Sequence, residues 1–251
     1  MCLITFAFQH LDKYPLLVIA NRDEFYARPT APLHWWEDDQ TGIIGGRDLQ
    51  DGGTWMGMSA NGRFAALTNY RSPEHMQVGK PSRGELVTMC LREEMPLEEM
   101  RRFLVTRGDK YNGFNLIYGS TEELYYYNNV QNKHQQVYPG IYGLSNAFLN
   151  TPWPKVQKAT TAFENLSSQP DAENLLIQMM QNDETAADSE LPHTGVPPEW
   201  EKKLSAMFIT SAEYGTRLTT FVSIDRNGNV VYREKGYQPV SDHRITFNLI
   251  A

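Results

Sequence analysis

Apolar β-type runs in this chain come in pairs closed by short turns, and that spacing dictates antiparallel sheets. Leu3–Gln9 and Leu16–Asn21 are separated by residues 10–15, a hairpin with a longer loop. Thr54–Ser59 and Arg63–Asn69 flank Ala60-Asn61-Gly62, and Asn-Gly is the strongest short hairpin signal. Asn227-Gly228 turns Arg217–Asp225 onto Val230–Glu234 in the same way. Further β-type runs are Phe114–Ile117, Leu124–Asn128, a stretch around Val137, Ile141–Ser145, Met207–Thr210 and Arg244–Leu249. Hairpins of this kind build antiparallel sheets, whereas a parallel sheet needs a long crossover between its strands.

Helical spacing separates these blocks. Ser82 with Glu85 three residues on reads as a capping box ahead of Leu86, Val87, Met89, Cys90 and Leu91. Pro96 ends that helix, and Leu97–Val105 starts another. Pro154 opens a helical stretch through Leu166, and Asp171 caps one running to Gln181. Residues 182–198 are acidic and Pro-bearing, and read as a surface loop. Two helical layers must then cover the outer faces of the antiparallel sheets. The order β, α, β, α, β therefore predicts an α+β fold; a four-layer αββα sandwich of two antiparallel sheets follows naturally, and the pattern alone fits a generic α+β domain equally well. With no linker, repeat or composition shift, residues 1–251 read as a single domain.

Composition narrows the function classes. A net charge of −7 argues against an extended phosphate-binding surface, so no nucleic-acid partner is expected. The first apolar run is too short to span a bilayer and lacks the flanks of a secretory signal. Two cysteines in 251 residues make no disulfide framework, so a reducing, cytoplasmic setting is expected. The six histidines are scattered without paired ligand spacing, and no metal site is expected. Gly45-Gly46-Arg47-Asp48 and Gly52-Gly53 lack the ending of a phosphate loop and read as a loop bending past a pocket, while Trp35, Trp36 and Trp55 suit either a core or an apolar cavity.

One cysteine follows the initiator Met1, and removal of Met1 would leave Cys2 with a thiol and a free α-amine. The two titrate at about 8.5 and about 8, so they can share a proton near neutrality. A terminal amine serving as base for its own side chain is a route to covalent catalysis. The alternative is a core cysteine, since free cysteine is among the most buried residue types. Leu16–Ala20 runs into Asn21-Arg22-Asp23-Glu24, and a hairpin of the first two strands brings this polar run beside Cys2. An arginine there favours a thiolate and a carboxylate holds an ammonium. Adjacent strand residues point to opposite faces, however, so Arg22 and Asp23 cannot both face Cys2 on a regular strand. Asn69 and Asn146 end strands and are neutral donors suited to an oxyanion, or else turn residues. Arg217, after Tyr214-Gly215-Thr216, suits a substrate carboxylate or a sheet-edge ion pair.

Cys2, Asn21-Arg22-Asp23-Glu24, Gly45-Gly46-Arg47-Asp48-Leu49, Gly52-Gly53-Thr54-Trp55, Ala66-Leu67-Thr68-Asn69-Tyr70, Gly143-Leu144-Ser145-Asn146 and Tyr214-Gly215-Thr216-Arg217, taken in order, resemble the NRDE family, that of the transport-and-Golgi-organisation protein Tango-two. The family is similar to N-terminal nucleophile hydrolases of αββα architecture, among them the choloylglycine hydrolases and penicillin V acylases. The resemblance implies a hydrolase of a linear amide, an N-acyl compound, acting on non-peptide C–N bonds through an acyl-enzyme. Its catalytic residues would be Cys2 as nucleophile, Arg22 tuning it, Asp23 holding the α-amine, Asn69 and Asn146 facing the oxyanion, and Arg217 completing the polar network. The acylases space their arginine and aspartate further apart than Arg22 and Asp23, so Glu24 or Asn21 could take one role. That chemistry requires no cofactor and a small-molecule substrate. The other function the family implies is a non-catalytic carrier of haem or a hydrophobic, lipid-like ligand; the oligomeric state is left open.

Overall fold

The computed structural model describes residues 2–37, 42–92 and 94–250. Two antiparallel sheets form its centre. The first orders β10 (Gly140–Leu144), β1 (Cys2–Phe8), β2 (Leu16–Phe25), β11 (Tyr214–Ile224), β12 (Asn229–Tyr237) and β13 (Val240–Asn248). The second runs in chain order through β3 (Thr30–Trp35), β4 (Ile43–Asp48), β5 (Met56–Ser59), β6 (Phe64–Asn69), β7 (Phe114–Gly119), β8 (Leu124–Asn128) and β9 (Lys133–Val137).

Alternation along the strands sorts side chains into layers. Ile4, Phe6, Phe8, Leu16, Val18 and Ala20 pack inward against Met56, Met58, Phe64, Ala66 and Ile117 of the other sheet. Their strand neighbours Leu3, Ala7, Leu17 and Ile19 face outward, onto Val156, Ala159 and Phe163 of α3 (Pro154–Leu166) and Leu176 and Ile177 of α4 (Ala172–Met179). On the far side Leu67, Leu116, Tyr118 and Tyr127 meet Leu86, Val87, Cys90 and Leu91 of α1 (Gly84–Leu91) and Met100 and Leu104 of α2 (Leu97–Arg107). This is the αββα sandwich the sequence predicts. Among the described residues no helix is long and apolar enough to cross a membrane.

Three local expectations are corrected. Gly45 and Gly46 lie in strand β4, not in a loop, because their missing side chains let β4 lie against Met56 O and the Trp55 ring. Met207–Thr210 is not a strand; its polar backbone groups go instead to Asn21 Nδ2, at 2.8 Å from Met207 O, and to Thr216, whose N–H reaches Ile209 O. Ser82 does not cap α1 with its side chain: the helix begins at Gly84 without a side-chain cap, and the Glu85 carboxylate accepts from Tyr111 Oη.

Candidate functional site

The pairing of β1 with β2 sets the site. Cys2 lies directly opposite Arg22, and Leu3 opposite Asn21. Cross-strand partners project to the same face, so Cys2 and Arg22 share the inner face at the open end of the sandwich. Together with Glu24, Trp55, Asn69 and Arg83 they line a cleft of about 220 Å³. Asn21 and Asp23 belong to the opposite face. The four polar residues at the end of β2 thus divide two and two, as alternation requires.

Each has a distinct environment. Arg22 is buried, with its guanidinium 4.0 Å from the Trp55 ring centroid and 4.0 Å from the Glu24 carboxylate. Its Nη1 is buried without a hydrogen-bond partner. Burial pulls the Arg22 guanidinium down, and the Glu24 carboxylate counters that. Glu24 Oε1 accepts from the Phe25 N–H. Asn21 is structural: its amide donates to Met180 O and Met207 O, both at 2.8 Å, and its oxygen accepts from Thr219 Oγ1, fixing the helical layer to the sheet. Asp23 is buried and accepts from Thr216 Oγ1 at 2.7 Å, Thr216 being its partner on β11. Burial pushes the Asp23 carboxyl up, with Lys155 the strongest opposing charge.

Cys2 is partly exposed at the cleft. Burial and the Asp23 carboxylate push its thiol up, while Arg22 and a hydrogen bond from the Asp23 backbone N–H pull it down. Cys90 sits fully inside the α1–α2 core, where burial pushes its thiol far above the usual range. Of the two thiols, only Cys2 has access.

The remaining expected residues fall into two groups. Asn69 ends β6 and lines the cleft. Asn146 does not line it: the residue is fully buried, and its Nδ2 donates to Asn69 O at 2.9 Å. The reason is that Ser145-Asn146 ties the two sheets together, with Thr68 Oγ1 donating to Ser145 O at 2.6 Å and Arg71 N to Asn146 O at 2.7 Å. Ser145 Oγ also donates to Cys2 O at 3.1 Å, so this segment fixes the Cys2 backbone. Arg217 likewise stays out of the cleft. It is the extra residue of a bulge between Thr216 and Leu218, and Nη1 donates to Phe25 O and Arg28 O, bracing the turn after β2.

Sequence reading missed Trp55 as the platform for Arg22, and Arg83 at the start of α1. It also missed a buried group of charges behind Asp23, in which Arg71 pairs with Glu201 at 2.8 Å and Lys155 of α3 lies alongside. These residues come from different layers, so no local pattern joins them.

A family model described as Transport and Golgi organisation 2 matches residues 1–239. The Transport and Golgi organization 2 homolog of Mus musculus is 33% identical, over 94% of this chain and 92% of its own. The Homo sapiens homolog is 32% identical over the same shares. Among solved structures, the mutant C2A conjugated bile acid hydrolase from Clostridium perfringens superposes with a TM-score of 0.50, covering 97% of this chain and 92% of its own at 11% identity. That likeness establishes the fold alone, an αββα sandwich of two antiparallel sheets.

Proposed function

We propose that the chain, which belongs to the Transport and Golgi organisation 2 family, is an N-terminal cysteine nucleophile hydrolase that cleaves a linear amide of the N-acyl type. The observation that carries this reading is the register that sets Cys2 opposite Arg22 at the mouth of a cleft, with Asp23 one step beyond. A terminal amine on Cys2 would sit at that step. The solved neighbour also has a cysteine at its position 2, replaced by alanine in C2A.

The roles follow from position. Once Met1 is removed, the Cys2 thiol passes its proton to its own α-amine and the sulfur attacks the substrate carbonyl. Asp23 holds the resulting ammonium, and Arg22 favours the thiolate. Asn69 lines the cleft, and its amide would donate to the oxyanion, a contact worth ~2.7–4 kcal/mol of barrier where it has been removed elsewhere. Asn146 positions Asn69 through its carbonyl, and Arg217 steadies the turn beyond Glu24. As the C–N bond breaks, the ammonium returns its proton to the leaving amine. Water then attacks the thioester, releasing the carboxylic acid and restoring the thiol. Haem fits this cleft poorly: about 220 Å³ lies below the roughly 300–1,000 Å³ of drug-sized ligand sites, and among the described residues no histidine lines it.

The test is labelling with an electrophilic N-acyl probe. Cys2 should be modified in the wild type and modification lost in Cys2→Ser, with Cys90 untouched. Saturable binding of the probe without a covalent product would instead mark a carrier.

A further inference from the structure

Behind the nucleophile lies a closed group of four charged side chains that the mechanism above uses only in part. Asp23, Arg71, Lys155 and Glu201 are 1%, 6%, 3% and 3% exposed. Arg71 is committed to Glu201 at 2.8 Å and stacks 4.7 Å from the Trp153 ring centroid, two residues before Lys155. Glu201 takes two further hydrogen bonds from Thr194, through its N–H and its hydroxyl. Lys155 enters from the first turn of α3, and its Nζ is buried with no hydrogen-bond partner. An ammonium buried without a hydrogen bond is costly unless an opposite charge offsets it. With Glu201 engaged by Arg71, that opposite charge is Asp23.

We infer that Lys155 is a positioning residue for the nucleophile, its buried charge offsetting the Asp23 carboxylate, which would otherwise hold the Cys2 thiol and amine in their protonated forms. The part concerning the amine rests on the hydrolase reading; the part concerning the thiol does not. The charges facing Lys155 are Asp23 on β2, Arg71 after β6, Cys2 on β1 and Glu201 on α5 (Pro198–Lys203). On the solvent side Lys158 is paired with Glu184 and Lys202 with Asp188. Glu190 there accepts from Ala187 N. A trimmed Cys2 adds a third cationic group against two carboxylates, which favours a neutral, basic amine near neutrality. Burial lowers the Lys155 ammonium to about 8, with Asp23 the strongest charge resisting.

The experiment is the rate of Cys2 alkylation by iodoacetamide against pH, with the site assigned by peptide mass. In Lys155→Met the inflection should move up by about one pH unit, and the rate at pH 7 should fall by up to roughly tenfold. Lys155→Gln should do the same. The wild type should show a second break near pH 8, where Lys155 discharges; Lys155→Arg, permanently charged, should abolish it. This arm decides the matter if the neutral variants do not fold. Superimposable profiles in all the folded proteins would overturn the inference. Because no substrate is present, the two readings fail separately. If the hydrolase reading fails, the acyl product is missing while the profile still moves. If this inference fails, the acyl product forms while the profile stays put.

Discussion

Gly46→Ala connects a backbone detail to the chemistry of Cys2. A Cβ at position 46 would lie 2.4 Å from Trp55 Cη2, 2.6 Å from Cζ2 and 3.0 Å from Glu234 Oε2. Ordinary contact begins at 3.4 Å, so the ring must retreat by about 1 Å. The obstacle is the far edge of one side chain, so the fold survives; overpacking of this kind costs about 1–3 kcal/mol. For a chain near 250 residues that is a Tm loss of about 2–12 °C, at about 2–4 °C per kcal/mol. Arg22 stacks on the same ring, so its guanidinium moves with it. Misplacement by 1 Å can cost on the order of 10²-fold in rate, and Cys2 labelling should slow by about 10- to 100-fold. The assay pairs labelling kinetics with thermal melts, using Gly52→Ala as control. Gly52 has φ +79° and no neighbour within 4 Å, so its substitution strains only the backbone, by about 1–2 kcal/mol. If Gly46→Ala labels Cys2 at the wild-type rate while Gly52→Ala slows it, the seating of Arg22 by Trp55 is refuted.

Two further outcomes test the buried charges. Glu201→Ala leaves the Arg71 guanidinium buried without its carboxylate and should cost ~3–5 kcal/mol in denaturant unfolding. An Arg71→Met, Glu201→Leu double variant should recover most of that, and a single variant within 1 kcal/mol of wild type would show the pair to be idle. Burial raises the Glu234 carboxyl from 4.5 to about 7, and it accepts from Leu33 N at 3.0 Å. A carboxyl raised on folding stabilises fully below its unfolded value, and that stability is lost as pH rises through the folded one. The wild type should therefore lose about 3 kcal/mol between pH 4.5 and 7 from this group. Glu234→Gln should flatten that slope in urea titrations, and an unchanged slope would mean the charge resides elsewhere.

The sandwich was legible because hairpins announce themselves locally. Ala60-Asn61-Gly62 and Asn227-Gly228 fix which strands pair, and alternation then sorts each strand's residues between core and helix layer. Strands β3 and β4 were not visible. Pro32 removes a ladder donor and Gly45-Gly46 removes side chains, so both segments lack the apolar alternation that marks a strand. Cys2, Arg22, Glu24 and Asn69 could be found because each closes a recognisable strand at one end of the molecule. Asn146 and Arg217 carry the same signal but spend their donors on backbone carbonyls, which depends on how the sheets join. Lys155 and Glu201 carried no signal at all, and Trp55 stood out only as a tryptophan suited to a core or an apolar cavity. Their positions beside the site arise from packing between layers, and a helical lysine in sequence looks like any solvent-facing one.

The central claim is that Cys2, as a chain terminus, becomes acylated. Intact-mass measurement of the purified protein during turnover of an N-acyl substrate tests it most directly. The account predicts a chain lacking Met1 that gains one acyl group on Cys2, a gain absent in Cys2→Ser. A chain that retains Met1, or that turns over substrate with no acyl group on Cys2, would contradict it.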